Sequence, residues 1–149
     1  MREALLVSAC LLGVRCRYDG QSVPCADAAA LAARYHLIPV CPEQLGGLPT
    51  PRVPAERRAE QVVTKDGHDV TQAYRRGAEQ VLFLAQTLGC RAALLKERSP
   101  SCGSGTIYDG RFCGVLCAGY GVCAQQLLEH GIRVYGESQI DALLERNGA

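Results

Sequence analysis

The chain has 149 residues, of which 48% are apolar and 21% charged, and its formal net charge is +1. This composition excludes a disordered polypeptide, and the near-neutral charge leaves no electrostatic footprint for nucleic acid. No apolar run approaches the roughly 20 residues of a membrane span, and the N-terminal segment lacks the long apolar region of a signal peptide. We therefore expect one cytoplasmic domain covering residues 1–149, with no membrane contact.

Helical and extended patterns alternate along the chain. The predicted strands are 3–9, 37–40, 92–95 and 132–135. The predicted helices are 27–35, 121–130, 139–146 and a long helix that Asp69 or Thr71 caps and that ends at about Leu88, with Gly89 as its stop. Strands separated by helices favour right-handed crossovers and a parallel sheet. We predict an α/β fold, a single Rossmann-like domain with a parallel sheet of about four strands flanked by helices. The expected strand order is 2-1-3-4.

Two connections between these elements have predicted structure of their own, a proline-rich loop and a short hairpin. Residues 41–54 hold four of the seven prolines and two adjacent glycines, so we expect a rigid, irregular loop, and loops of this length are usually functional. Segments 60–64 and 68–70 flank Lys65-Asp66-Gly67, a turn sequence, and predict a small hairpin.

Nine cysteines are unusual in a cytoplasmic chain, where structural disulfides are rare. They are Cys10, Cys16, Cys25, Cys41, Cys90, Cys102, Cys113, Cys117 and Cys123. Metal or cluster ligation is the leading interpretation for some of them. For Cys25 and Cys90, in helical or helix-end contexts, we favour the role of a small buried hydrophobic residue.

Three of the cysteines follow predicted strands directly. Cys10 follows the first strand, Cys41 the second, and Cys102 lies in the loop after the third, where Pro100 ends the strand. The carboxyl ends of parallel strands lie at one edge of the sheet, where ligands bind. These three sulfurs are therefore expected to converge there.

The spacing of the cysteines matches no common metal motif, because C-x2-C is absent. Three thiolates could hold a [4Fe–4S] cluster whose fourth iron stays open as a Lewis acid. Glu43, two residues after Cys41, could then act as general acid or base, and Ser101 could offer a hydroxyl. A solvated carboxylate and a turn serine are equally compatible with these two positions.

Basic residues are also predicted near this edge of the sheet. They are Arg15, Arg17, Arg52 and Arg98. Any one of them is more simply a surface charge than a group that positions a polar ligand.

Four motifs in order resemble one bacterial family, formerly a domain of unknown function, that includes the TudS-type thiouracil desulfidases. The matching stretches are SACLLG at 8–13, RYDG at 17–20, CPE with GGLPTPR at 41–52, and LKERSPSCG at 95–103. The resemblance implies a [4Fe–4S] cluster held by Cys10, Cys41 and Cys102, with the open iron binding the substrate's thiocarbonyl sulfur. Glu43 would be the acid/base residue and Ser101 a substrate-activating neighbour.

The reaction implied is the replacement of sulfur by water oxygen, which turns a thiouracil into uracil without net redox change. Related longer proteins act on thiolated tRNA, and the lack of such an extension favours a free thiolated base or nucleoside. Cys16 falls at a position we expect to be variable, and Cys113, Cys117 and Cys123 lie outside the four motifs.

Two other functions use the same residues. A non-enzymatic metal- or redox-sensing module would need only the thiols, whereas a flavodoxin-like nucleotide-binding domain would use the cysteines structurally. Glu43 beside Cys41 favours the enzyme, and the absence of a phosphate-binding fingerprint disfavours the nucleotide-binding domain.

Overall fold

The structure, a computed structural model, describes residues 2–145. Its strands are β1 (Glu3–Ser8), β2 (Tyr35–Val40), β3 (Ala55–Arg58), β4 (Gln61–Thr64), β5 (Ala92–Leu95), β6 (Ser104–Tyr108), β7 (Leu116–Tyr120) and β8 (Arg133–Gly136). Its α-helices are α1 (Ala28–Arg34), α2 (Pro42–Leu45), α3 (Thr71–Leu88), α4 (Val122–Glu129) and α5 (Ile140–Glu145). Short 3-10 turns occupy Ala9–Leu12 and Glu137–Gln139. The predicted end of the last helix, Arg146, lies outside the described residues.

The main sheet has four parallel strands in the order β2-β1-β5-β8. These are the four predicted strands in the predicted order 2-1-3-4, so the α/β prediction is confirmed. β1 is central, and Leu5 pairs with Leu37 on one side and with Ala92 on the other. The order reverses between β1 and β5, which places the topological switch point where β1 and β5 end.

Helices cover both faces of this sheet. Because side chains alternate along a strand, Leu6 of β1 packs in the layer of α3 and α4, with Val81 and Leu127. Leu5 and Val7 face the other way, into a second core with residues of α1 and α5. Within residues 2–145, no helix is both long and apolar enough to cross a bilayer.

Two hairpins stand apart from the sheet, and neither matches the predicted one. β4 does form, but its partner is β3, joined through Ala59 at a positive φ of 51°. The predicted partner, 68–70, keeps only a bridge between Val63 and Asp69. The reason is local, because the Asp69 carboxylate accepts the Thr71 backbone N–H at 2.8 Å and turns the chain into α3.

The second hairpin, β6–β7, was not predicted. Most of its residues are exposed or half-buried on both faces, so it lacks the alternating apolar pattern that identifies a strand.

The predicted proline-rich loop contains α2, and two glycines press this short helix against α3. A Cβ on Gly77 would lie 1.8 Å from the Pro42 carbonyl oxygen, and one on Gly46 would lie 1.9 Å from the Ala73 carbonyl oxygen. Backbones this close leave no room for a side chain. The contact fixes the start of α2, with Glu43, against the first turns of α3.

Candidate active site

The three strand-end cysteines lie in the wall of one cavity of about 510 Å³. Cys10 sits in the 3-10 turn after β1, Cys41 immediately precedes α2, and Cys102 lies in the loop after β5. All three are buried, with 7%, 9% and 4% of their surface exposed. The sheet topology thus brings the predicted ligands to one edge of the sheet.

The protein surroundings disfavour the charged form of these thiols. Burial, followed by the nearby Cys16 and Glu43, raises the pKa of Cys10 to about 11, although Lys96 and Arg17 oppose the shift. Burial, followed by Glu43, also raises the pKa of Cys41 and of Cys102. A metal or cluster that binds here must therefore displace protons from the thiols.

Glu43 lies in the first turn of α2 and is 9% exposed. The Ser101 hydroxyl donates a hydrogen bond to Oε1 of Glu43. On the other side, Oε2 lies 3.5 Å from the Cys41 sulfur and 3.8 Å from Nη2 of Arg52. The two oxygens of one buried carboxyl group therefore have different neighbours, one a hydroxyl donor and the other a thiol and a cation.

A chain of hydroxyls leads to Glu43 along the loop after β5. The Ser99 hydroxyl oxygen accepts the backbone N–H groups of Ser101 and Cys102 at 3.1 and 2.9 Å. The same oxygen lies 3.0 Å from the Ser101 hydroxyl. Ser8, at the end of β1, adds a hydroxyl 3.4 Å from the Cys102 sulfur. This network holds Ser101 and Cys102 in place beside the cavity.

Arg52 is the best-fixed cation of the cavity wall, with a side chain only 9% exposed. Its Nη2 donates to the Cys16 carbonyl at 3.0 Å, and its Nη1 donates to the Pro49 carbonyl and the Thr50 hydroxyl. Arg17 and Arg98 also line the cavity, whereas Arg15 does not. Of the four predicted arginines, Arg52 is thus the one built into the site.

Two cavity residues were missed or set aside by sequence reasoning. Cys16 is 2% exposed and lines the cavity with the three predicted ligands. Tyr74 of α3 also lines it and is 4% exposed. The loop position of Cys16 and the helical position of Tyr74 gave no functional signal.

The remaining cysteines lie elsewhere. Cys90 and Cys123 are buried in the core, Cys25 is half-buried, and Cys113 and Cys117 are exposed. Cys117 borders an open depression of about 700 Å³ between β7 and α4, which none of the predicted site residues reaches. The predicted ligands and Glu43 therefore all lie in the wall of the smaller cavity, with Ser101 beside it.

The donor set of this cavity fits an iron–sulfur cluster better than a single ion. In the described part of the chain, no three His, Cys, Asp or Glu side chains come close enough together to hold one metal ion. A [4Fe–4S] cluster presents a different iron to each cysteine and so needs a wider arrangement of soft thiolates. Four buried thiols, Cys16 and the three predicted ligands, line a cavity of this volume and offer such an arrangement.

Comparisons with known proteins identify the family of the chain. A solved structure described as a [4Fe-4S]-dependent thiouracil desulfidase, TudS, superposes with a TM-score of 0.90 at 53% identity and covers 95% of each chain. An uncharacterised protein of Bacillus subtilis strain 168, YbbK, is 40% identical over 150 residues, covering 94% of this chain and 99% of that protein. Residues 5–139 match the profile of the 2-thiouracil desulfurase family. The chain belongs to the 2-thiouracil desulfurase family.

Proposed function

We propose that the protein is a [4Fe–4S]-dependent desulfidase that hydrolyses the C=S bond of a thiolated pyrimidine, 2- or 4-thiouracil or its nucleoside. Residues 1–149 would act as a single domain. The observation that supports this most strongly is the hydrogen bond from Ser101 to Glu43, a carboxyl group in the wall of a cavity lined by four buried thiols, three of which are the predicted ligands. A sensing module would need only the thiols, and a buried acid/base pair has no task in it.

Cys10, Cys41 and Cys102 would hold the cluster, because they are the buried thiols that the ends of β1, β2 and β5 deliver to the cavity. When bound through three cysteines, such a cluster supplies an open iron, a Lewis acid suited to the soft sulfur of a thiocarbonyl group.

Glu43 would act as the general base and then as the general acid. Its Oε2 faces the Cys41 sulfur, at the side of the cavity where the ligands converge. There it would take a proton from water as the water oxygen attacks the C–S carbon. It would return that proton to the sulfur, and the second proton of the water would follow from the new hydroxyl group to the departing sulfur as the C–S bond breaks. Water and the thiocarbonyl group then become a carbonyl group and hydrogen sulfide, with no change in oxidation state.

Ser101 and Arg52 would keep Glu43 ready for this exchange. Ser101 donates to Oε1, so Oε2, beside the Cys41 sulfur and Arg52, is the oxygen proposed to meet water. The Ser101 hydroxyl is proposed to help activate the substrate. The guanidinium of Arg52, anchored by three backbone and side-chain oxygens, faces Oε2 at 3.8 Å and stabilises its negative charge.

The substrate is proposed to be a free base or nucleoside and not tRNA. A cavity of about 510 Å³ lies within the range of small-ligand pockets, about 300–1,000 Å³. The net charge of +1 offers little general attraction to a polynucleotide.

The test is uracil formation by anaerobically purified protein whose iron and sulfide contents have been measured. A loaded protein should carry about four iron and four sulfide per chain. It should convert 2-thiouracil, 4-thiouracil or their nucleosides and release one sulfide per uracil. Thiolated tRNA serves as a parallel substrate. Loss of sulfur from tRNA alone would reassign the substrate, and failure of the loaded protein on every thiolated compound would favour the sensing module.

A further inference from the structure

Tyr74 is a buried hydroxyl without a protein partner. It is 4% exposed and lines the cavity of about 510 Å³. Within residues 2–145, no group forms a hydrogen bond with its phenolic oxygen. Buried polar groups in native proteins are nearly always hydrogen-bonded, so an unpaired one in a cavity wall indicates a partner that binds in the cavity.

Tyr35 provides the comparison within the same chain. It is also 4% exposed, but its hydroxyl donates to the Leu143 carbonyl at 2.6 Å and so serves the packing of β2 against α5. A buried tyrosine in this fold can therefore find a structural acceptor. Tyr74 has none among residues 2–145, and it lines the cavity of the site.

The surroundings of Tyr74 place it beside the reacting groups. It lines the same cavity as Glu43, Arg52, Cys41 and Cys102. Burial, followed by the charge of Glu43, raises the pKa of Tyr74, so its hydroxyl keeps the proton that it can donate. Its position is fixed, because the contact between Gly77 and the Pro42 carbonyl presses α3 against the helix that carries Glu43. The hydroxyl and the carboxyl group thus face one cavity from two packed helices.

On the basis of the proposed function, we propose that the Tyr74 hydroxyl donates a hydrogen bond to the ring carbonyl oxygen of the thiouracil, the oxygen that the reaction does not replace. Each thiouracil isomer carries one such carbonyl beside its thiocarbonyl group. A site that hydrogen-bonds a substrate group discriminates against analogues that lack it. Tyr74 is therefore a substrate-binding and specificity-determining residue.

The first test measures binding without turnover. Calorimetric titration with uracil is carried out on cluster-loaded wild type, Tyr74→Phe and the matched control Tyr35→Phe. Loss of one hydrogen bond should weaken uracil binding about 3- to 10-fold in Tyr74→Phe. Its melting temperature should be unchanged or higher, because an unpaired buried hydroxyl is removed. Tyr35→Phe should melt at a lower temperature and bind uracil as the wild type does.

The second test identifies the contacted group. Tyr74→Phe should raise the KM for 2-thiouracil by a similar factor, but it should not change the affinity for pyrimidine-2-thione, which lacks the ring carbonyl. An equal effect on both compounds would overturn the assignment, as would wild-type uracil affinity in Tyr74→Phe.

The two proposals fail in different ways. If wild type binds uracil through Tyr74 but desulfurises no thiolated compound, the proposed function is wrong and Tyr74 still binds a pyrimidine. If wild type is active and Tyr74→Phe matches it in every measurement, the function stands and the Tyr74 proposal is wrong. Absence of any uracil binding by the wild type also overturns the Tyr74 proposal.

Discussion

The two carboxylate oxygens of Glu43 have different tasks in the proposed mechanism. Oε1 accepts a hydrogen bond from Ser101, and Oε2 would exchange the proton, so a substitution can remove the second task and keep the first. Glutamine has the same shape and can still accept the Ser101 hydrogen bond, but it cannot take a proton from water. General acid/base help contributes on the order of 10²–10⁴-fold. We therefore expect Glu43→Gln to keep its iron and its substrate affinity and to lose turnover by about that factor.

The matched control for this substitution is Glu56→Gln. Glu56 lines the same cavity, but its Oε1 accepts the backbone N–H groups of Gly110 and Phe112, a task that a glutamine oxygen also performs. This variant should retain most of its turnover. Near-normal turnover in fully loaded Glu43→Gln would remove Glu43 from the mechanism.

The cysteines separate into ligands and non-ligands by position. Serine at Cys10, Cys41 or Cys102 should each abolish cluster binding, because a cluster held by three thiolates cannot lose one of them. Cys25→Ser and Cys90→Ala should keep their iron, because neither residue lines the cavity. Iron and sulfide analysis after anaerobic reconstitution measures both outcomes. A requirement for Cys113, Cys117 or Cys123 would show that the ligand set is wrong.

At the scale of secondary-structure elements, the contact between α2 and α3 is the most sensitive to substitution. Alanine at Gly77 would favour the helix by about 1 kcal/mol through propensity alone. However, its Cβ would meet the Pro42 carbonyl at 1.8 Å, and backbone cannot move away as a flexible side chain can. Overpacking of this kind costs about 1–3 kcal/mol, so the clash should outweigh the gain.

Urea unfolding measures this balance. Gly77→Ala should unfold at lower urea than the wild type, while Gln80→Ala, an exposed substitution on the same helix, should stay within about 0.5 kcal/mol. A stabilised Gly77→Ala would mean that α2 can shift without cost.

Glu97 connects the end of β5 to the segment after β8. Hydrogen bonding from Ser138 lowers the pKa of Glu97 below its ordinary value of 4.5. A carboxyl group whose pKa is lower in the folded state stabilises the fold above the unfolded pKa, and this contribution is lost as the pH falls through the folded pKa. Glu97→Gln should thus be less stable than wild type at neutral pH, and the difference should shrink below pH 4.5. A pH-independent difference in urea midpoint would contradict this linkage.

Sequence patterns predicted the elements that carry a periodic apolar signal. The strand at 92–95 is four buried apolar residues, and α3 ends at Leu88 as predicted, followed by Gly89 with a positive φ of 68°. The β6–β7 hairpin carries no such signal, because most of it faces solvent on both sides. Sequence patterns did not indicate Tyr74, because its proposed role follows from a hydroxyl without a hydrogen-bond partner in the protein. Only the folded structure shows which hydroxyl groups have partners.

At the scale of the whole molecule, the proposed ligands join parts of the chain that the sheet already brings together. β1, β2 and β5 pair in parallel, and each is followed by one cysteine of the cavity. Beyond the cavity, the sheet and the outer helices are held by aliphatic side chains of the two cores, such as Leu31 and Leu127, although Cys10, Cys41 and Cys102 also belong to these cores. A cluster bound by three thiolates should therefore stabilise one end of the molecule more than the other.

Hydrogen–deuterium exchange of the loaded and cluster-free protein measures this asymmetry. A ligand that binds the native state protects most strongly the segments that must open to release it. Removal of the cluster should raise exchange most in residues 9–17, 41–48 and 98–104, which carry the three cysteines. Exchange should change little in residues 28–34 and 126–134, which are the internal control. Faster exchange throughout the chain would show that the whole fold depends on the cluster, and unchanged exchange at all three segments would contradict their assignment as its ligands.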